Sequence, residues 1–185
     1  MYYAYSSWPG GLYISPTMSG TRPGANLAMA WATMKSIGEN GYLQLAKEVM
    51  QAAKQMKAAV RQTDGLDLVV DVDSCGFAFK SLDPANCNIF AVADEMESLG
   101  WKMERQNNPD SLHCTIFPAH ANMKTSEIFG NDLKASVATV RSKAPKKKDD
   151  QSSVGVYGAI GNLANVDASL IDDFLKTMFS EIYKT

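Results

Sequence analysis

Apolar and polar positions along this chain alternate between two periods, and the changes of period mark its elements. After Pro23-Gly24, the residues Leu27, Ala30, Trp31 and Met34 recur at helical spacing, and that stripe ends near Gly38. Asn40-Gly41 opens a second, longer helix to about Gln62. Its apolar positions Leu45, Val49, Ala53, Met56 and Val60 share one face, with Lys47, Lys54, Lys57 and Arg61 around the other. Asp64-Gly65 is a turn, after which residues 66–72 and 76–79 are β-branched or alternating and read as strands. Asp83-Pro84 turns the chain into a helix carried by Ile89, Val92, Met96 and Leu99 and closed by Gly100. Residues 101–105 and 112–117 predict a strand pair bridged by the polar stretch 106–110, and a helix from about Lys124 to Ser142 follows. Asp167 is placed to cap a last amphipathic helix whose buried stripe is Leu170, Ile171, Phe174, Met178, Ile182 and Tyr183. Residues 8–24 carry Pro and Gly too densely for a helix or a central strand and read as loop. The order of elements predicts an α/β or α+β lobe around a small, largely antiparallel sheet.

Composition adds limits to this picture. The chain has 185 residues, is 45% hydrophobic and 21% charged, and carries a formal net charge of −2, which suits one domain or one large lobe. A balance of 18 basic and 20 acidic residues excludes a strongly cationic nucleic-acid binder. No run of 18 apolar residues occurs, so no span of a membrane is expected, and the N-terminus lacks the charged and apolar regions of a secretory signal. Cys75, Cys87 and Cys114 are odd in number and unrelated in spacing, as for buried or free thiols in a reducing compartment. Residues 143–153 read as a solvated charged linker, because Asp149 and Asp150 offset the lysines before them. The ten methionines, mostly in helical segments, read as core filler. The charge is unevenly spread: from Met1 to Thr33 the one charged side chain is Arg22. Such a segment has little to solvate it, and the expectation is that other protein covers it, either a second subunit or chain missing here.

Ser19-Gly20-Thr21-Arg22-Pro23-Gly24 leads directly into a helix and is the most informative stretch. Backbone N–H groups at a helix N-terminus, small residues, a hydroxyl and a guanidinium together suit a phosphate or carboxylate. The run lacks the Walker A lysine, and a Gly-Thr-Arg-Pro-Gly sequence is more often the start of a helix than an anion site. The isolation of Arg22 favours the anion reading, since a buried guanidinium needs an anionic partner. His113 and His120 lack a second ligand at metal spacing and read as core or surface histidines. No Cys-x-x-Cys, His-x-x-x-His or paired-carboxylate motif supports metal catalysis, and Ser15 and Ser19 sit in no Gly-x-Ser-x-Gly elbow.

The run Trp8-Pro9-Gly10-Gly11-Leu12-Tyr13-Ile14-Ser15-Pro16-Thr17-Met18-Ser19-Gly20-Thr21-Arg22-Pro23-Gly24 resembles the sphingosine-1-phosphate lyase family, which uses pyridoxal phosphate and is related to the group II amino-acid decarboxylases. The resemblance continues collinearly through Trp31, residues 38–42, 97–101 and 111–113, to Val156-Tyr157-Gly158. Thr21 stands where many relatives are expected to have serine, which keeps the hydroxyl. A larger departure is that the family holds its cofactor on the lysine of a His-Lys pair upstream of this run. Here His113 precedes Cys114 and His120 precedes Ala121, and seven residues precede Trp8.

The resemblance therefore implies the C-terminal portion of an aspartate-aminotransferase-like, pyridoxal-phosphate-dependent transferase fold. Residues 1–42 would be the end of the cofactor-binding domain and a linking helix, and 43–185 the small C-terminal domain. It further implies cleavage of a phosphorylated long-chain base to a fatty aldehyde and phosphoethanolamine, in a homodimer with a shared active site. The implied lining of that site is Gly20, Thr21 and Arg22, with Tyr13 and Ser15. Relatives in eukaryotes imply a parent enzyme at the endoplasmic reticulum membrane with its catalytic part in the cytosol. Two other readings stay open: an amino-acid decarboxylase, and a non-catalytic dimerisation module without the lysine.

Overall fold

The computed structural model describes residues 3–5, 13–15, 20–121, 123–143 and 167–182. A short antiparallel pair, β1 (Tyr3–Tyr5) and β2 (Tyr13–Ser15), precedes α1 (Gly24–Arg61). The strand at Tyr13–Ser15 corrects the reading of 8–24 as loop throughout: pairing with Tyr3–Tyr5, distant in the pattern, supplies backbone bonds that local punctuation does not reveal. After α1 come β3 (Leu66–Leu68), β4 (Gly76–Ser81), α2 (Ile89–Ser98), β5 (Glu104–Gln106), β6 (Ser111–Thr115), a single 3-10 turn (Pro118–His120), α3 (Met123–Ser142) and α4 (Ala168–Ile182). Strands β3 to β6 form one four-stranded sheet in the order β3-β4-β6-β5, antiparallel at every step.

Alternation along the strands gives this sheet two unlike faces. Leu66, Leu68, Phe77, Phe79, Arg105 and Leu112 are buried, while Asp67, Glu104 and Lys80 on the opposite face reach water. Helices α1, α2 and α3 supply the other side of the core with Ala53, Met56, Val60, Val92, Met96, Phe129 and Leu133. Gly130 brings α3 close to α1: a Cβ there would lie 3.1 Å from that of Ala59. Asn88 caps α2 by accepting from the N–H groups of Phe90 and Ala91 at 2.8 and 3.2 Å, and Gly100 at φ 95° ends the turn after it. Leu99, read as part of this helix, falls at its C-cap and is exposed. Asp167 caps α4 through the Ser169 N–H at 3.0 Å, as its position implied.

The two helices expected around Gly38 are present, joined end to end as α1. Gly38 sits at φ 65°, ψ 173°, a region essentially closed to other residues, and breaks the helix there. The two halves differ in packing. The core begins at Ala52 on the second half, whereas each residue from Gly20 to Ile37 is exposed, including Leu27 and Trp31 at 67% and 63%.

Four further readings are corrected by the structure. Strand β3 stops at Leu68 rather than Val72, because the loop beyond it is drawn onto α1: the Lys57 ammonium donates to the Val72 carbonyl at 2.6 Å and Arg61 to Asp71 at 2.7 Å. Lys57 is accordingly buried, not on the solvated face. On α4 the expected buried residues Leu170, Phe174, Met178 and Ile182 are exposed, and Leu175 is buried instead. Met56, Met96 and Met103 fill the core as expected, but Met29, Met34, Met50 and Met178 are exposed. The expected linker lies outside the described residues apart from Lys143, which pairs with Glu95.

Candidate active-site segment

Gly20, Thr21 and Arg22 run into the N-terminus of α1, and all three are exposed. Pro23 is the N-cap at φ −65°, ψ 137°; it offers no side-chain cap, and the first turn holds no acidic residue. The first turn closes with the Asn26 N–H donating to the Pro23 carbonyl at 3.1 Å. A helix start without a built-in acceptor, preceded by a hydroxyl and a guanidinium, suits an external anion such as a phosphate monoester. The expectation that Arg22 would be buried is not met among the described residues: its guanidinium lies on the exposed approach to α1. No acidic residue occurs in the chain before Glu39. Tyr13 and Ser15 belong to β2, whose partner β1 packs beside α4; their side chains lie outside the described residues.

Pyridoxal phosphate carries one phosphate and one aldehyde that a lysine must hold. The donors at Thr21, Arg22 and the first turn of α1 fit the phosphate. Lys57, the buried lysine among the described residues, is already committed to the Val72 carbonyl and Asp71. Among the described residues, Thr21, Arg22 and the first turn of α1 thus offer donors of the kind a phosphate accepts, and Lys57 is spent on structure.

Other polar groups are spent on structure. The Arg105 guanidinium is buried and donates to Glu97 at 2.6 Å, Asp94 at 2.7 Å and the Met103 carbonyl at 3.2 Å. Sequence reading missed it, although Trp101, Met103 and Arg105 alternate inward on the run into β5. His113 is half-buried, with its Nδ1 3.1 Å from Glu104 Oε2, and His120 Nδ1 accepts from the Phe117 N–H at 3.1 Å. Burial and the nearby Glu104 carboxylate push the Cys114 thiol up to about 12, and burial also raises that of Cys87, so neither is a ready nucleophile. A shallow groove of about 320 Å³ beside Ala121 is lined by Gln44, Lys47, Glu48 and Gln51 and offers no nucleophile. Among the described residues no group of three acidic, His or Cys side chains could hold a metal, and no helix is long and apolar enough to cross a membrane.

No family model matches the chain. It is, however, 35% identical over 182 residues to the sphingosine-1-phosphate lyase of Arabidopsis thaliana, covering 97% of this chain and 31% of that protein. The lyase of Dictyostelium discoideum is 30% identical over 187 residues, covering 100% of this chain and 34% of that one. Among solved structures, the sphingosine-1-phosphate lyase of Burkholderia pseudomallei superposes with a TM-score of 0.62 at 29% identity, over 89% of this chain and 35% of that one. Glutamate decarboxylase of Lactobacillus brevis superposes with a TM-score of 0.61 at 12% identity, over 78% of this chain and 34% of that one, which shows a shared fold. The chain spans about a third of the length of the curated relatives it matches. In sequence and in fold it is thus a relative of the sphingosine-1-phosphate lyases, matched from end to end by a part of those proteins.

Proposed function

We propose that this chain forms the C-terminal part of a pyridoxal-phosphate-dependent carbon–carbon lyase that cleaves phosphorylated long-chain bases to a fatty aldehyde and phosphoethanolamine. The observation that carries this reading is the end-to-end match to the lyases, within which the Ser15–Gly24 run leads into a helix N-terminus. In this reading residues 1–42 complete a cofactor-binding domain and 43–185 form the small domain. The break at Gly38 and a core that begins at Ala52 support such a division. The enzyme is a homodimer with a shared active site, and its setting is the cytosolic side of the endoplasmic reticulum membrane.

The chain's own residues bind and orient. Arg22 supplies two parallel N–H donors to a phosphate, Thr21 a hydroxyl, and the first turn of α1 its backbone N–H groups, while Gly20 lets the backbone approach closely. Tyr13 and Ser15 line the approach. Holding the phosphate fixes the carbon bearing the amine relative to the neighbouring hydroxyl. Cleavage then breaks the bond between those carbons, the hydroxyl loses its proton as the aldehyde forms, and the amine-bearing carbon gains a proton. Pyridoxal phosphate, when bound, supplies the electron sink for the pair released by that bond.

In the assembled enzyme, Arg22→Ala is expected to lower kcat/KM for aldehyde release roughly 10- to 100-fold, the worth of a hydrogen bond to a charged group. A raised KM with cofactor retained assigns Arg22 to the substrate phosphate, and loss of cofactor assigns it to the cofactor's. Unchanged turnover with cofactor intact refutes the assignment. This chain by itself is expected to give no borohydride-trapped cofactor adduct at a single lysine, and a stoichiometric adduct at one site would overturn that expectation.

A further inference from the structure

We propose that a notch over Gly76, on the face of the four-stranded sheet away from its helices, binds a small amino alcohol. His113 accepts from the ligand's hydroxyl and Glu104 pairs with its ammonium. Cross-strand register puts Glu104, His113 and Ala78 in one row and sets Gly76 opposite Thr115 in the next. The Glu104 carboxylate lies 3.1 Å from His113 Nδ1. In the neutral ring that contact places the proton on Nδ1 and leaves a lone pair on Nε2. No hydrogen bond engages Nε2 among the described residues. Nε2 lies against Gly76: a Cβ there would be 3.4 Å from it and 4.0 Å from Ser74 Oγ. A glycine inside a strand, with Ala78 two positions on, thus leaves open the space that larger side chains would fill. Ser74 Oγ accepts from the Gly76 N–H at 3.1 Å, so its own proton is left to donate. Thr115 is exposed across the strand pair.

The chemistry of these groups selects the ligand. A lone pair, a carboxylate and a donating hydroxyl around a glycine-sized space suit a molecule with an ammonium and a hydroxyl on neighbouring carbons. An anion is opposed by the charge of Glu104, whose side chain is 77% exposed. A metal ion lacks a third ligand among the described residues. Ser74 is not an activated nucleophile either, because its Oγ is engaged by the Gly76 N–H rather than by Nε2. In the occupied site the ligand hydroxyl donates to Nε2 and accepts from Ser74. The ammonium sits against the carboxylate of Glu104, and the charge strengthens that hydrogen bond. Binding is reversible and breaks no covalent bond.

The test follows the ring signals of His113 and His120 by NMR while ethanolamine is added to the full chain, with ethylamine and ethylene glycol as comparisons. Ethanolamine is expected to shift the His113 signals saturably in the millimolar range and to leave those of His120 in place. Ethylamine and ethylene glycol should each bind roughly fivefold more weakly, since each lacks one of the two groups. Gly76→Ala, which fills the notch, and Ser74→Ala, which removes a donor, should each weaken ethanolamine by roughly fivefold or more. Both positions lie outside the core, so thermal unfolding of the variants should confirm an intact lobe. Ethylamine binding as tightly as ethanolamine would mark a bare cation effect at Glu104 and overturns the site. So does a His113 signal that ethanolamine leaves in place, or an affinity indifferent to both substitutions. No turnover is measured, so each outcome is independent of the lyase reading.

Discussion

Gly38→Ala separates what the backbone demands from what packing demands. At φ 65°, ψ 173° an alanine costs on the order of 1–3 kcal/mol, while a Cβ there meets nothing within 4 Å. The strain is therefore purely conformational. A straight helix through position 38 relieves it and adds the ~1 kcal/mol by which alanine exceeds glycine in helical preference. Straightening loses few contacts in the isolated chain, because residues 24–37 are exposed throughout. The variant is thus expected to straighten, with the stability of the remaining lobe changed by no more than about 0.5 kcal/mol. Spin labels at positions 27 and 54 report this directly, since a continuous helix sets them about 40 Å apart and any bend brings them closer. In the assembled enzyme the same substitution should lower lyase activity, because it redirects Arg22. An unchanged label distance, together with loss of more than about 2 kcal/mol of stability, would refute the argument, for it would mean that the lobe itself imposes the break.

Two further outcomes follow from the lobe's charges. Arg105→Ala removes a buried guanidinium from Glu97 and Asp94 and should cost about 2–3 kcal/mol in urea unfolding, less than the loss for fully buried partners because both carboxylates are partly solvated. Arg105→Met keeps the aliphatic stem and should recover part of that loss, whereas equal losses would count against the packing share. The hydrogen bond from Arg61, aided by Lys57, holds the Asp71 carboxyl below the usual range, and the Ser169 N–H does the same for Asp167. A folded-state value below the unfolded one, about 3.9, gives stability that is complete above that value and lost as pH falls through the folded value. The urea midpoint should therefore fall with decreasing pH below about 5, and Asp71→Asn should flatten that slope; an identical slope would show that Asp71 contributes nothing to it.

The elements of this fold were legible wherever one periodic face does the work. The helix break at Gly38, the cap at Asp167 and the β5–β6 pair follow from local pattern, because spacing and turn residues act over a few positions. The strip of chain around Gly20, Thr21 and Arg22 was legible too, both as a helix start with donors and through its likeness to the lyases. What pattern could not decide is which apolar face meets protein within this chain. Leu45 to Val60 and Leu27 to Met34 have the same helical period, yet one stripe approaches and enters the core and the other is open. Lys57 and Arg105 carry the signature of solvated residues but are inside, since a carbonyl or carboxylates from neighbouring elements offset the loss of water. The sequence by itself determined the helices, the order of elements from α1 onward and the donors before α1. Only the tertiary structure decided which faces are filled, because burial depends on partners remote in the chain, and for residues 24–37 no described part of this chain buries them.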